Sequence, residues 1–242
     1  MAIDVYREIK GWLRRMVEEG DFGREEIQIK AFPLTPQEAI GNPEQDDYPL
    51  LKGRERLMQA EFRGSIGQAY TDMYGDFSGP LSEILEMELK NNYRRAILIS
   101  SLNAIARYLG AVKGTIHCKD ADPPRCGHEL LNHIRKNYGF PKVALVGMQP
   151  RMAEVLAEHF ELRITDLDEE NIGKERFGVL IEGPNRTAEN LAWCDLAVVT
   201  GTTAVNGTLE QFLIDKPVVF YGVTIAAVAE LMGLMRFCPL GR

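Results

Sequence analysis

The chain has 242 residues, of which 45% are hydrophobic and 26% are charged, a balance typical of a globular protein. This length suits one large domain or two small ones. The formal net charge of −7 argues against nucleic acid or an anionic membrane surface as the main partner. We therefore predict a protein with no nucleic-acid partner and no membrane partner.

The first twenty residues are typical of an amphipathic packing helix rather than a secretory signal, because charges interrupt any continuous apolar core. The apolar residues of its predicted buried face are Ile3, Tyr6, Ile9, Leu13, Met16 and Val17. The four cysteines are scattered: Cys118, Cys126, Cys194 and Cys238. Without a secretory signal, we expect free thiols and a cytoplasmic location.

The chain before residue 113 has the pattern of an α+β domain. Segments 26–32 and 59–70 alternate polar and apolar residues, as antiparallel strands do. Thr35 followed by Pro36 is typical of a helix start, and 92–110 has a strongly helical pattern.

After residue 142, short apolar runs alternate with helical segments, which implies a parallel sheet with helical crossovers. The runs are 142–147, 161–168, 177–183, 195–201 and 216–222. We therefore predict an α/β fold with a small α+β domain at 1–113 and a Rossmann-like domain at 114–242. Within the second domain, 114–140 would form the linker and first helix.

The most informative segment is 196–208, in which a buried strand is followed by a polar loop and a helix start. Thr208 and Gln211 have the spacing of a capping box. In a parallel sheet this loop lies at the carboxyl end of the strand, where ligands bind. Its candidate ligand residues are Thr200, Gly201, Thr202, Thr203, Asn206, Gly207 and Thr208. A polar connecting loop with two turn glycines is the plainer alternative.

Three other strand ends add candidates for binding a nucleotide or another cofactor. Gly147 could open a turn after the first strand, although the GxGxxG fingerprint is absent. Asp166 or Asp168, after the second strand, could accept hydrogen bonds from ribose hydroxyls. Glu182 and Gly183 end the third strand, where Glu182 is either a general base or ligand acceptor, or a solvated loop carboxylate.

No serine occupies a GxSxG context. The catalytic residues stay unassigned, with Glu182 and Asn103 as candidates. Asn103 is an amide within an otherwise apolar helix, and a buried amide requires hydrogen-bond partners. It either fixes the junction between the domains or faces a ligand.

The metal candidates are Cys118, Cys126 and His128, which lie close together in the chain. On a helix, Cys126 and His128 would point about 200° apart, because each residue turns by about 100°. Paired CxxC spacing is also absent. We therefore predict no dedicated metal site ligated by the protein.

Several short motifs together resemble the putative heavy-metal chelation domain family, a family of unknown function. TGTTAVNGTLE at 200–210 combined with FYG at 220–222 is the specific signal. Weaker matches are SLNA (101–104), GTIHCKD (114–120), KVALVGMQP (142–150), TDLD (165–168), EGPN (182–185) and FCPLGR (237–242).

The resemblance implies an enolase N-terminal-like domain before a Rossmann-like domain, with a ligand cleft between them. It also implies partial likeness to Rossmann-like methyltransferases, and a role in condensing or hydrolysing precursors of pterins, flavins or metal chelators. The residues it places toward the cleft are Asn103, Asp166, Glu182, Thr200 to Thr203, Asn206, Gly207, Thr208, Tyr221 and Gly222.

Our leading hypothesis is a protein that binds, and could modify, a small anionic or metal-chelating molecule related to pterins, flavins or siderophores. The alternatives are a methyltransferase-like enzyme that uses S-adenosylmethionine and a non-catalytic metal-binding protein. The cofactor could thus be S-adenosylmethionine, a nucleotide, a pterin-like ligand or a metal chelate. We expect a homodimer, since symmetric dimers are common.

Overall fold

The structure is a computed structural model that describes residues 4–20, 28–52 and 55–242. Its helices are α1 (Val5–Glu19), α2 (Pro36–Ile40), α3 (Pro49–Lys52), α4 (Leu81–Glu86), α5 (Asn92–Tyr108), α6 (Asp122–Tyr138), α7 (Pro150–His159), α8 (Thr187–Trp193), α9 (Thr203–Asn206) and α10 (Ala226–Met232). Its strands are β1 (Gln28–Pro33), β2 (Arg56–Phe62), β3 (Ser65–Thr71), β4 (Phe77–Pro80), β5 (Val143–Val146), β6 (Leu162–Thr165), β7 (Glu175–Arg176), β8 (Val179–Glu182), β9 (Leu196–Thr200), β10 (Val218–Tyr221) and β11 (Arg236–Phe237).

The first sheet is antiparallel and has the order β3-β2-β1-β4. A two-residue turn joins β2 to β3, with φ values of 46° at Arg63 and 81° at Gly64. Positive φ at both turn residues matches the right-handed twist of the two strands. The predicted strand at 59–70 is therefore a hairpin. Residues 26 and 27 of the other predicted strand lie outside the described residues.

The second sheet has the order β11-β10-β9-β5-β6-β8-β7 and is parallel except for β7. From β8 to β11 the order is that of a doubly wound Rossmann-type sheet. Apolar runs buried on both faces form its central strands, and residues 196–199 of β9 are all buried. The predicted fold class, α/β with a small antiparallel sheet before a larger parallel one, is confirmed.

Helix α5 lies between the two sheets. Every residue from Ala96 to Ala106 is buried, so this helix has no solvent-exposed face over three turns. One hydrophobic core includes Ile97 of α5, Met58 of the first sheet and Val199 of the second. Both sheets therefore bury apolar surface against the same helix, which fixes their relative position.

Helix α1 packs through the face that its sequence predicts, with Ile9, Leu13 and Met16 buried. The Tyr6 hydroxyl donates to the Ala204 carbonyl at 2.8 Å, which attaches α1 to the second sheet's layer. Tyr6 and Val17, two further members of the predicted face, are partly buried against the same core, and Ile3 lies outside the described residues.

The apolar segment 218–235 divides into β10 and α10. Throughout residues 4–20, 28–52 and 55–242, no helix combines the length and the apolar character needed to cross a membrane.

The helix predicted to start at Thr208 is a short 3-10 helix, and its predicted capping box is not formed. Helix α9 begins earlier, at Thr203, and ends at Gly207, whose φ of 75° is left-handed. A 3-10 helix at Leu209–Phe212 follows, and the Thr208 side chain makes no capping hydrogen bond. The chain reverses at the left-handed glycine, so it cannot continue as one helix.

Candidate functional site

A crevice opens where β5 and β9 lie side by side, because the connections after these strands leave in opposite directions. The ends of the two strands approach closely: a Cβ on Gly147 would lie 2.8 Å from Thr200 Cγ2. The Tyr221 hydroxyl donates to the Gly147 carbonyl at 2.9 Å. Gly147, Thr200 and Tyr221 therefore form one compact wall at this edge of the sheet.

The first sheet supplies the facing wall. The Tyr70 amide of β3 donates to Thr224 Oγ1 at 3.0 Å, which fastens this strand to the turn after β10. Glu55 stands immediately before β2, and Asp72 immediately after β3. Electrostatic interactions link the side chains of Glu55, Tyr70, Asp72, Asp166 and Tyr221, and we call the junction of the two sheets at these residues the cleft.

Glu55 has the most perturbed carboxyl group of the cleft. Burial raises the pKa of Glu55 to about 7, and the carboxylates of Asp166, Asp72 and Asp168 raise this pKa further. The side chain is only half-buried, and within the described part of the chain no ion pair or hydrogen bond neutralises it. Glu55 can therefore gain or lose a proton near neutral pH.

Two tyrosines complete the cleft as neutral groups. Burial raises the pKa of Tyr70 well above its ordinary value, and nearby Cys118 and Glu55 act in the same direction. Burial likewise raises the pKa of Tyr221, despite a hydrogen bond to Thr200 that lowers it. Both phenols keep their protons, so the cleft combines acidic carboxyl groups with uncharged hydroxyl groups.

Asp166 lies in the cleft, but its oxygens are already occupied. Oδ1 accepts from the amides of Leu167 and Asp168, at 2.6 and 3.1 Å. Oδ2 accepts from the Met148 amide at 3.2 Å and from Asn171 Nδ2 at 3.0 Å. The carboxylate thus ties the loop after β5 to the loop after β6, and a ribose would have to displace these partners.

Glu182 lies at the same sheet edge, two strands away from the crevice. It accepts from Arg186 Nε at 3.1 Å and from Asn190 Nδ2 at 2.6 Å. Gly183 then leads into a 3-10 helix at Pro184–Arg186. The structure does not bring Glu182 together with Glu55, and its carboxylate serves to hold α8.

The threonine-rich loop after β9 is mostly buried. Thr202 and Thr203 are 7% and 3% exposed, and Thr203 Oγ1 donates to the Thr200 carbonyl at 2.9 Å. A Cβ on Gly201 would lie 2.8 Å from the Ile225 amide nitrogen. This loop and the turn after β10 therefore pack tightly together, and only Thr200 is left at the crevice.

The last residues of the loop lie against α5. Arg95 on α5 donates to the Val205 carbonyl, and Asn92 Nδ2 lies 3.4 Å from Asn206 Oδ1. A Cβ placed on Gly207 would lie 3.6 Å from Arg95 Cζ, so this glycine is next to the Arg95 side chain. These contacts join the loop to the first sheet's layer.

Asn103 is completely buried, and its amide joins three segments. Its Nδ2 donates to the carbonyls of Gln68, Val223 and Thr224, at 3.0 to 3.2 Å. Its Oδ1 accepts from the Ala227 amide at 2.9 Å. Of the two roles weighed from the sequence, these contacts are those of a junction between the two sheets.

Of the metal candidates, Cys118 and Cys126 are buried and His128 is exposed on α6. Within the described ranges, no three histidine, cysteine or acidic side chains are already arranged to hold an ion.

Two open grooves lie outside the cleft. One of about 610 Å³ is lined by Lys113, His133, Glu230 and Arg236 among others, and the Gly222 carbonyl accepts from Arg236 at its border. The other, of about 580 Å³, is formed by α2 and the loop that follows it. Neither contains the titrating carboxyl group that distinguishes the cleft.

Glu55, Tyr70 and Asp72 were not among the residues predicted from sequence. They come from the ends of strands in the first sheet, and no local motif marks them. Only the expectation that Asn103 joins the two sheets could have indicated these three residues.

Known proteins that are similar to this chain include one solved structure with the same overall architecture. Residues 130–234 match the DUF364 family, which is described as "Putative heavy-metal chelation". A DUF364 protein of unknown function from Pyrococcus horikoshii superposes with a TM-score of 0.56 at 17% identity, covering 91% of this chain and 79% of that one. A second, from Desulfitobacterium hafniense DCB-2, has a TM-score of 0.49 at 16% identity and covers 74% and 73%. No curated protein matches the chain.

Proposed function

Starting from the match of residues 130–234 to the DUF364 family, we propose that the cleft binds and modifies a small metal-chelating molecule. The observation that carries this proposal is the titrating carboxyl group of Glu55 opposite the topological switch point of the second sheet. Open α/β sheets bind their ligands at the carboxyl ends of the strands. Glu55 is the proton-exchanging group of the cleft at that edge.

The charges of the cleft favour the metal-chelating ligand over a free anion. Asp72, Asp166 and Asp168 each raise the pKa of Glu55, so the field at this point is negative. A chelator carrying its metal ion, or bearing amine groups, would be attracted by that field, whereas a bare anion would be repelled.

Glu55 is suited to act as a general acid or base, because such a group works best when its pKa is near the operating pH. The neutral phenol of Tyr70 can donate a hydrogen bond to a ligand on the same side. Condensation or hydrolysis of a chelator precursor both require a proton transfer of this kind.

The methyltransferase alternative has less support. It needs a free acidic group after the second strand of the parallel sheet, whereas Asp166 already accepts four hydrogen bonds. The first loop also lacks the glycine fingerprint.

The test is native mass spectrometry of protein purified without chelators, followed by calorimetric titration with S-adenosylmethionine and with metal-loaded and metal-free hydroxamate and amine-bearing chelators. The variants are Glu55→Gln and, as a control for charge, Glu18→Gln, which alters an exposed residue of α1. We expect Glu55→Gln to change binding or turnover at least about tenfold and Glu18→Gln to leave both unchanged. Equal behaviour of both variants with every chelator, or a preference for S-adenosylmethionine, would contradict the proposal.

A further inference from the structure

An ion pair that is largely buried joins the loop after α2 to the start of α7, and it involves none of the residues that define the cleft. Asp47 Oδ2 lies 2.7 Å from Arg151 Nη2 and 3.6 Å from Arg176 Nη1. The side chains of Arg151 and Asp47 are 12% and 18% exposed, and that of Arg176 is 34% exposed. One carboxylate is thus held between two guanidinium groups from different elements, α7 and β7.

This pairing leaves polar atoms of both partners unused. Asp47 Oδ1 and Arg151 Nε are buried, and within the described ranges neither makes a hydrogen bond. A guanidinium group can offer Nε and Nη2 together to two oxygens of one carboxylate or phosphate, whereas Asp47 accepts through a single oxygen. A buried donor without an acceptor is unfavourable. The internal carboxylate is therefore an incomplete partner for Arg151.

The segment that carries Asp47 is loosely attached. We call residues 42–47 the strap, and none of them is buried, whereas Ile40 and Tyr48 on either side are 3% and 5% exposed. In the part of the chain that the structure describes, one hydrogen bond holds the strap backbone, from the Asn42 amide to Asp120 Oδ1 at 2.9 Å. The groove of about 580 Å³ beside α2 gives the strap room to move. Asp47 can therefore leave the arginines while the core stays folded.

The place that Asp47 occupies suits an anion. Arg151 is the second residue of α7, and the amides and dipole at this end of a helix favour negative charge. Arg151 Nη1 also lies 2.8 Å from Glu154 Oε2. Without Asp47, the charged groups that remain in this set of ion pairs are two guanidinium groups and the one carboxylate of Glu154. Their net charge is positive, so a further oxyanion would be attracted.

We propose that Arg151 and Arg176 form a binding site for the carboxylate or phosphate group of a small molecule, and that Asp47 occupies this site in the free protein. The entering oxyanion displaces Asp47, accepts from Nε and Nη2 of Arg151, and is neutralised further by Arg176. The strap then carries the Asp47 carboxylate into solvent. This second site goes beyond the proposed function, because it uses no residue of the cleft.

The experiment is a calorimetric titration of the full-length protein with inorganic phosphate and, separately, with malonate, at constant ionic strength. Wild-type protein should bind weakly, because Asp47 competes for the same donors. Asp47→Asn removes the competing charge and should tighten binding at least about tenfold. Asp46→Asn is the matched control, since this neighbouring strap carboxylate is 89% exposed and pairs with Lys52 instead. It should leave the affinity unchanged.

The arginine variants should have the opposite effect. Arg151→Gln and Arg176→Gln, each made in the Asp47→Asn protein, should weaken binding at least about tenfold. Arg151→Lys keeps the charge but loses the two parallel donors, so it should also weaken binding. Arg125→Gln is the control for removing a positive charge, because Arg125 is exposed on α6, and it should have no effect. Tighter binding of phosphate than of malonate would identify a phosphate-bearing ligand, and the reverse a carboxylate-bearing one.

Circular dichroism identifies any variant that fails to fold, and Asp47→Ser then removes the carboxylate with a shorter side chain. The proposal is overturned if neither anion binds the folded Asp47 variant, if that variant binds no more tightly than wild type, or if Arg125→Gln loses as much affinity as Arg151→Gln. Glu55→Gln should bind phosphate like the wild type. Failure of this site and failure of the cleft can therefore be told apart.

Discussion

Two regions at the carboxyl edge of the second sheet differ in how they use their polar groups. The loop after β9 is rich in threonine and glycine, yet its Thr202 and Thr203 are buried and bonded within the protein. The wall contributed by the first sheet has fewer polar residues, yet Glu55 is left without a partner in the described part of the chain. Polar residues at a strand end can therefore serve packing, while the reactive group comes from the opposite sheet.

The difference arises from the way the two sheets are joined. In a sheet that stands alone, the loop after β9 would face solvent or a ligand. Here α1 and α5 cover it, through Tyr6 bonded to the Ala204 carbonyl and Arg95 bonded to the Val205 carbonyl. The following predictions test this division between a structural loop and a reactive wall.

The largest effect is expected from Asn103→Ala, at the junction between the regions. The change removes the hydrogen bonds that the Asn103 side chain makes to three buried carbonyls and one buried amide. We expect a loss of about 3–5 kcal/mol in the free energy of unfolding, measured by urea denaturation. Asn132→Ala, at an exposed position on α6, should cost less than about 0.5 kcal/mol. Similar losses in both variants would show that Asn103 is not a junction.

Gly147→Ala tests the close approach at the crevice. Gly147 has a φ of 87°, and the new Cβ would meet Thr200 at 2.8 Å and the Tyr221 hydroxyl at 3.0 Å. Strain and clash together predict a loss of about 2–3 kcal/mol. Gly178 also has a positive φ, 74°, but a Cβ placed on it would have no atom within 4 Å. Gly178→Ala should therefore show only the backbone cost of about 1 kcal/mol. Equal losses in thermal unfolding would mean that the crevice can relax around the extra methyl group.

Glu55→Gln tests the reactive wall through its pH dependence. The pKa of Glu55 is about 7 in the folded protein, against 4.5 for an unperturbed carboxyl group. Between these values the folded protein holds a proton that the unfolded chain has lost, so stability falls as the pH rises from 4.5 to 7. Above pH 7 the variant should therefore be more stable by about 1–2 kcal/mol, a figure reduced for the accessible part of the side chain.

At pH 4 the Glu55→Gln variant and the wild type should unfold at the same urea concentration, because Glu55 is protonated in both states. Parallel stability curves from pH 4 to 8 would contradict the raised pKa. Glu18→Gln again serves as the control.

The smallest effect is expected from Asn206→Ala, in the loop that the sequence marks as the ligand site. Its one side-chain contact among the described residues is the 3.4 Å approach of Asn92 Nδ2. We expect a change of less than about 0.5–1 kcal/mol in unfolding and no change in chelator affinity. A marked loss of chelator affinity without loss of stability would show that the loop after β9 is part of the binding site.

The sequence predicted the fold class because the central strands of both sheets follow from periodicity, whereas the short strands β4, β7 and β11 were not predicted. Alternation marks the β2–β3 hairpin, and buried apolar runs mark β5, β9 and β10. Helix α9 was missed, because a capping-box pattern at Thr208 does not show that the left-handed Gly207 has already ended a preceding helix.

The candidate site was predictable only in part. Strand ends locate Gly147, Asp166 and Thr200 at the crevice, since parallel strands share one carboxyl edge. Burial of the threonine loop and the position of Glu55 depend on how a second sheet packs over that edge. Local sequence patterns do not predict such long-range packing.

Helix α5 has a consequence for the evolution of this protein. Because its residues 96–106 are buried on every side, neither sheet has a complete core without the other. Recombination that replaced one sheet and its helices with those of a homologous protein would have to preserve the packing around the whole surface of this helix. The two halves are therefore expected to diversify together and to melt in one cooperative step, as a single unit of inheritance and of folding.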